Sequence, residues 1–102
     1  MEIQNFILLS GANSVQTGTA VDSSQYALHT FNVSGTGITT GATVRIEGLD
    51  CLGNAVLINS FAMTSANPAQ TFSLQAAFPQ IRAHISAYTD GTYAATYTGI
   101  SY

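Results

Sequence analysis

The residues able to do acid–base, nucleophilic or metal chemistry are few and scattered. They are His29, His84, Cys51 and the acids Glu2, Asp22, Glu47, Asp50 and Asp90. A zinc site needs three or four His, Cys or carboxylate ligands at short spacings, and no CxxC or HxxxH pair occurs. His29 and His84 could meet across two sheets, but a hydrogen-bonded structural histidine is the simpler expectation for each. A carboxylate pair for glycoside hydrolysis would have to come from acids that fall largely in turns, where Asp bonds local backbone. No nucleophile elbow surrounds a serine, and the DxDxDG spacing of a calcium loop is missing. Cys51 has no second cysteine to bridge and no basic neighbour to favour a thiolate, so it is expected as a small buried apolar residue. These residues predict neither an enzyme nor a cofactor or metal site.

A second group could bind rather than react. Arg82, His84, Tyr88, Tyr93 and Tyr97 lie in one stretch near the carboxyl terminus. Tyrosine offers large contact area with a polar tip, which suits an interface. Whether these side chains form one patch depends on the strands that carry them. Ile81, Ala83, Ile85 and Ala87 alternate with Arg82, His84, Ser86 and Tyr88, the period of a strand with two unlike faces. Asp90-Gly91 follows, a dipeptide suited to a type I′ turn, and residues 92–97 return as a second strand. Closed as a two-residue hairpin, this stretch sets Tyr88 against Tyr93 and His84 against Tyr97 on an outer face. Ala87 meets Ala94, and Ile85 meets Thr96, on the core face. The outer face would then be a tyrosine-rich patch with a histidine and an arginine.

The rest of the chain reads as further strands. Residues 3–9 form a first strand or docking arm. Their continuous apolar run, including Ile3, Phe6, Ile7, Leu8 and Leu9, suggests burial on both sides, part of it against a partner chain. Residues 14–21 form a Thr-rich strand interrupted by Gly18, and 26–33 a strand with Ala27, His29, Phe31 and Val33 on one face. Residues 43–49 are strongly β, with Val44 and Ile46 on one side and Arg45 and Glu47 on the other. Arg45 and Glu47 could pair, which at an exposed site contributes only about 0–1 kcal/mol. Strands at 55–63 and 71–74 complete the set. No stretch holds a 3.6-residue period over three turns. Seven to eight short strands with turn signals between them predict one all-β domain over residues 1–102, an antiparallel β-sandwich or jelly roll.

Composition narrows the partners. Asp, Glu, Lys and Arg are 7% of 102 residues, and Arg45 and Arg82 are the only Lys or Arg; the usual charged share is about 25%. Phosphate neutralisation needs clustered cations, so nucleic acid is not expected as a partner. A net charge of −3 steers little and guards poorly against association, which suits a protein docked in an assembly. The opening MEIQNFILLSGAN has no basic start and a short apolar run, so neither a signal peptide nor a membrane span is expected there. The expectation that follows is a chain made and kept in the cytosol, or exported only as part of a particle.

GATVRIEGLDCLGN, followed about thirty residues later by FPQIRAHISAYTDGTYAATYTG, resembles a small β-domain of virion structural proteins of tailed bacteriophages. YALHTFNVSGTGITTGATV fits the leading strands of that pattern, and the resemblance runs over residues 15–99. Asp50-Cys51-Leu52-Gly53 stands where the pattern has an Asp-Gly turn, and the tryptophan that often follows is absent. The resemblance implies a capsid decoration or cement protein, bound to the major capsid protein on the outer shell, with a trimer as one possible arrangement. An alternative is a carbohydrate- or receptor-binding module of a tail or baseplate, its tyrosines stacking on sugars.

Overall fold

Alternation is the local rule that builds this molecule, and most departures from the sequence-based expectation fall where it breaks. A computed structural model describes residues 2–101. They form β1 (Glu2–Ala12), β2 (Gln16–Thr17), β3 (Val21–Asp22), β4 (Leu28–Thr36), β5 (Ala42–Leu49), β6 (Ala55–Met63), β7 (Ala69–Gln75), β8 (Gln80–Tyr88) and β9 (Thr92–Ser101). Among the described residues there is no helix. The fold is an all-β sandwich of two antiparallel sheets. One sheet has the order β1-β9-β4-β7; the other runs β2-β8-β5-β6, with β3 also paired to β8. The nine strands among the described residues exceed the expected seven to eight, in part because the Thr-rich segment splits around Gly18 into β2 and β3.

The core lies between the sheets. Phe31 and Val33 of β4 and Tyr93, Ala95 and Tyr97 of β9 face inward from one side. Val44 and Ile46 of β5, Phe61 and Met63 of β6, and Ile81, Ala83 and Ile85 of β8 face inward from the other. Burying a side chain of this size contributes about 1.5–3 kcal/mol.

The final stretch is not a hairpin. β8 pairs with β5, and β9 pairs with β1 and β4, so the two strands lie in different sheets. The physical reason is the pattern itself. In a hairpin the row Ile81-Ala83-Ile85 and the row Tyr93-Tyr97 would fall on opposite faces, leaving one row in water. Placing the strands in separate sheets turns both rows into the core. Gly91 does take a positive φ of 98°, as the Asp-Gly signal implied, but it serves a corner between sheets.

Asp90 fixes that corner. Its carboxylate accepts backbone N–H bonds from Thr39, Thr40 and Gly41 at 2.9–3.1 Å. The Thr89 and Asp90 amides donate back to the Gly41 carbonyl at 3.0 and 3.3 Å. Gly41 has φ 123°, and a Cβ there would run into the Met63 carbonyl oxygen, so the clamp requires glycine. The Thr40 amide, helped by those of Thr39 and Gly41, holds the Asp90 carboxyl below the usual carboxylate range against the opposing effect of desolvation. A depressed folded-state pKa means the clamp contributes above the unfolded value of about 3.9 and fades as pH falls below it. Asp90→Asn is therefore expected to melt several degrees below the parent at neutral pH, with the gap closing toward pH ~2.5. Thermal unfolding followed at both pH values checks this; a gap that persists in acid would mean the carboxylate charge is not what holds the corner.

β-Bulges account for further departures. Ile7 pairs with Thr96 but Leu9 with Ala95, leaving Leu8 as an extra residue. Both Leu8 and Leu9 are buried, whereas Ile7 is 70% exposed and Ile3 52% exposed. The amino-terminal run is thus an edge strand of the sandwich, not a segment buried on both sides. In β8, Val44 faces Ile85 and Thr43 faces Ala87, so Ser86 is the extra residue. The parity flips there, and Tyr88 turns back toward the core. Cys51, expected to be buried, is exposed at the tip of the 50–54 turn, because the Asp50 carboxylate gathers the amides of Leu52 and Asn54 and leaves that tip in solvent.

Candidate functional site

The outer face of the β2-β8-β5-β6 sheet carries both arginines of the chain and His84. β5 runs through its middle, with Val44 and Ile46 turned inward, so Arg45 and Glu47 emerge outward. On β8 the same alternation brings Arg82 and His84 out. Register then joins them: Arg45 lies opposite His84 on β8, and Glu47 lies opposite Arg82. On the other flank, Arg45 faces Ser60 and Glu47 faces Leu57 of β6.

Glu47 is only 7% exposed. A carboxylate so covered needs a partner, since stranding a buried charge costs about 3–5 kcal/mol. Arg82 supplies it, its Nε donating to Glu47 Oε1 at 2.9 Å. Arg45 approaches the other carboxylate oxygen less closely, its Nε 3.8 Å from Oε2. That nitrogen is buried and has no hydrogen-bond partner among the described residues. The Arg45–Glu47 pairing expected along one strand is thus the weaker contact, and the stronger one crosses from β5 to β8. His84 is held by its Nδ1, 2.8 Å from the Thr17 hydroxyl and 3.2 Å from the Gln16 carbonyl.

The expected five-residue patch does not assemble. Arg82 and His84 share this outer face, but Tyr93 and Tyr97 are 1% and 0% exposed in the core. Tyr88 is half-buried and donates its hydroxyl to the Gly91 carbonyl at 2.8 Å. The amino-terminal candidates also divide. Ile3 and Ile7 project from the opposite sheet's outer face, while Phe6, Leu8 and Leu9 pack inward. The two surviving groups therefore sit on opposite sides of the sandwich. His29 and His84 do not meet, because His29 is enclosed between the sheets and His84 lies outside them.

Around Ile3 and Ile7 the surface is uncharged and hydroxyl-rich. Register aligns Asn5, Thr98, Thr30 and Ser73 in one row across the sheet, and Ile7, Thr96, Asn32 and Thr71 in the next. Cross-strand bonds tie these side chains: Thr98 to Asn5 at 2.7 Å, Thr30 with Ser73 at 2.9 Å, and Thr71 to Asn32 at 2.7 Å. At one end of the sandwich an open cleft of about 580 Å³ is lined by Gln25, Tyr26, Gln75, Ala76 and Ser101 among others. Its described lining offers amides, hydroxyls and one phenol, a binding chemistry with no carboxylate or imidazole to transfer a proton.

Sequence reasoning named Arg82 and the Arg45–Glu47 pair separately but missed their joining, because the Arg82–Glu47 contact depends on β5 and β8 being neighbours. One signal was present: the only two arginines fall at outward positions of strands whose inward positions are Val, Ile and Ala. Chemically, guanidinium groups beside one buried carboxylate can receive a planar anion through paired N–H bonds.

No family model matches this chain, and no curated protein matches it in sequence. Among solved structures it is similar to the PBSX exported protein XepA, with a TM-score of 0.82 at 19% identity over 98% of this chain. The match covers 38% of XepA, so the chain spans well under half the length of that protein. It is also similar to the SPBc2 prophage-derived protein YomS, with a TM-score of 0.68 at 17% identity, over 96% of this chain and 94% of that one. PirA matches at a TM-score of 0.51 and 12% identity, over 95% of this chain and 91% of that one. At these identities the shared property is the fold.

Proposed function

We propose that the chain is a non-catalytic structural protein of a bacteriophage particle, a decoration or cement protein that docks on the outer shell and bridges major capsid subunits. The observation that carries this reading is the fold, shared over 98% of this chain with part of the PBSX exported protein XepA and nearly end to end with the SPBc2 prophage-derived protein YomS. Surface chemistry supports it. The outer face of the β1-β9-β4-β7 sheet offers hydroxyls, amides and aliphatic side chains, with Ile3 52% and Ile7 70% exposed, and the opposite sheet adds half-exposed Val56 and Leu57. Such a surface suits contact with protein. Binding to the folded state would add its free energy to shell stability by mass action. Production in the host cytoplasm and residence on the capsid surface belong to the same proposal. The carbohydrate-binding alternative loses its stacking platform, since Tyr93 and Tyr97 are core residues.

Copy number tests the proposal. Purified particles are expected to contain this chain at one copy per one to a few major capsid subunits, measured by quantitative mass spectrometry. A handful of copies per particle would move the role to the tail, and absence from particles would overturn the reading.

A further inference from the structure

We propose that the outer face of the β2-β8-β5-β6 sheet receives an acidic side chain, an Asp or Glu carboxylate, from the protein on which this chain docks. The inference rests on the docking reading above and deepens it by naming the surface and the partner's chemistry.

Three observations converge. First, the distribution of charge: a chain of net charge −3 places its only two arginines on one patch, on either side of a single carboxylate. Two guanidinium groups against one Glu47 leave that patch with a net positive charge, on a molecule that is otherwise neutral or acidic.

Second, the donors are uncommitted. Arg82 bonds Glu47 through its Nε, and the Arg45 Nε has no hydrogen-bond partner among the described residues. The Arg45 and Arg82 side chains are 38% and 30% exposed, so their outer ends reach solvent while their inner ends are held near Glu47. This arrangement is pre-organised. The buried carboxylate fixes the position of Arg82 and biases that of Arg45, leaving their terminal nitrogens to form paired bonds with an incoming carboxylate.

Third, the rim is apolar in the way protein interfaces are. Leu57 lies directly across from Glu47 on the same outer face and is 49% exposed. Arginine beside half-exposed aliphatic groups is the mixture enriched where proteins meet. Asp22, Asp50 and Asp90 already accept bonds from this chain's own backbone, so their carboxylates are engaged locally. Charge complementarity therefore points outward, to acids on another protein.

The test uses the full chain and a capped tetraglutamate peptide as probe, with capped tetraglutamine and sodium sulfate as comparisons. With two arginines and no lysine, the Nε–Hε resonances of Arg45 and Arg82 can be followed individually by NMR. The glutamate peptide is expected to shift both resonances saturably, the glutamine peptide neither. R45Q should weaken the response about tenfold or more while preserving the fold, because Arg45 lies outside the core and its Nε makes no hydrogen bond among the described residues. Arg45→Lys should recover only part, because it restores charge without the bidentate fork.

A response to sulfate but not to the peptide would overturn the proposal in favour of a small-anion site, and so would silence at both resonances. An undiminished response in R45Q would also overturn it. The docking reading fails separately, through absence of the chain from particles. A chain present in particles whose R45Q form is incorporated equally would leave docking standing and remove this surface from it.

Discussion

Tyr97→Ala is expected to abolish cooperative folding near physiological temperature, and Tyr97→Phe to lower the melting temperature by roughly 5–20 °C. The reason is the position of one ring. Tyr97 is fully buried and stacks against Phe31 at 5.3 Å, Phe6 at 5.5 Å and His29 at 5.5 Å. It also meets the edge of Tyr26 at 6.4 Å. Removing such a ring costs about 3–5 kcal/mol, a large share of the ~5–15 kcal/mol that holds a domain together.

The hydroxyl has its own role. His29 Nε2 lies 2.9 Å from the Ala76 carbonyl, which can only accept, so that nitrogen carries the ring proton. The other nitrogen, Nδ1, is then an acceptor, and the Tyr97 hydroxyl donates to it. Phenylalanine leaves this acceptor buried and alone, which costs about 1–3 kcal/mol. Burial raises the Tyr97 phenol well above the ordinary tyrosine range. A raised folded-state pKa means that the neutral phenol stabilises the fold below about pH 10, and that this contribution is lost as pH rises beyond it. Thermal melts of both variants, with an alkaline series on the parent, check these expectations. A Tyr97→Phe protein that melts with the parent would show that the His29 bond does not stabilise the fold.

The contrast between β5 and β9 shows how far the sequence alone could be read. In β5, Val44 and Ile46 against Arg45 and Glu47 left no doubt about the inward side, and the structure agrees. In β9, tyrosine alternates with alanine and threonine, and either side could be core. The tyrosines are inside because their polar tips find partners there, Tyr93 on the Asp90 carbonyl and Tyr97 on His29. Those partners are distant in sequence or belong to a corner, so alternation could not reveal them. The all-β sandwich was legible because it needs only periodicity and turns. Leu8 and Ser86 escaped for the opposite reason: a single inserted residue flips a face without leaving any mark in residue type. The Arg82–Glu47 contact of the candidate site required knowing which strands adjoin, which periodicity does not encode.

That edge-strand geometry of β1 sets the last expectation: deleting residues 1–9 destroys the domain rather than merely detaching it from a partner. β1 covers β9 along its length, pairing from Glu2 with Ser101 to Ala12 with Tyr93. The deletion removes Leu8 and Leu9, each 3% exposed, together with Phe6, which stacks on Tyr97. Three such side chains contribute about 5–9 kcal/mol together, which matches or exceeds the ~5–15 kcal/mol margin at its lower end. It also bares the backbone of β9 to other chains, a template for aggregation. Loss of particle binding by this truncation would therefore say nothing about docking. Ile3→Thr with Ile7→Thr separates the two effects, because both side chains are outward and β-branching is retained. The double variant is expected to melt within a few degrees of the parent, since substitutions at such exposed positions usually fall within about 0.5 kcal/mol of neutral. If it folds yet no longer incorporates into particles, the hydroxyl-rich face around β1 is a contact surface. If it folds and incorporates normally, β1 serves the fold alone, and contact with the shell falls to the opposite sheet.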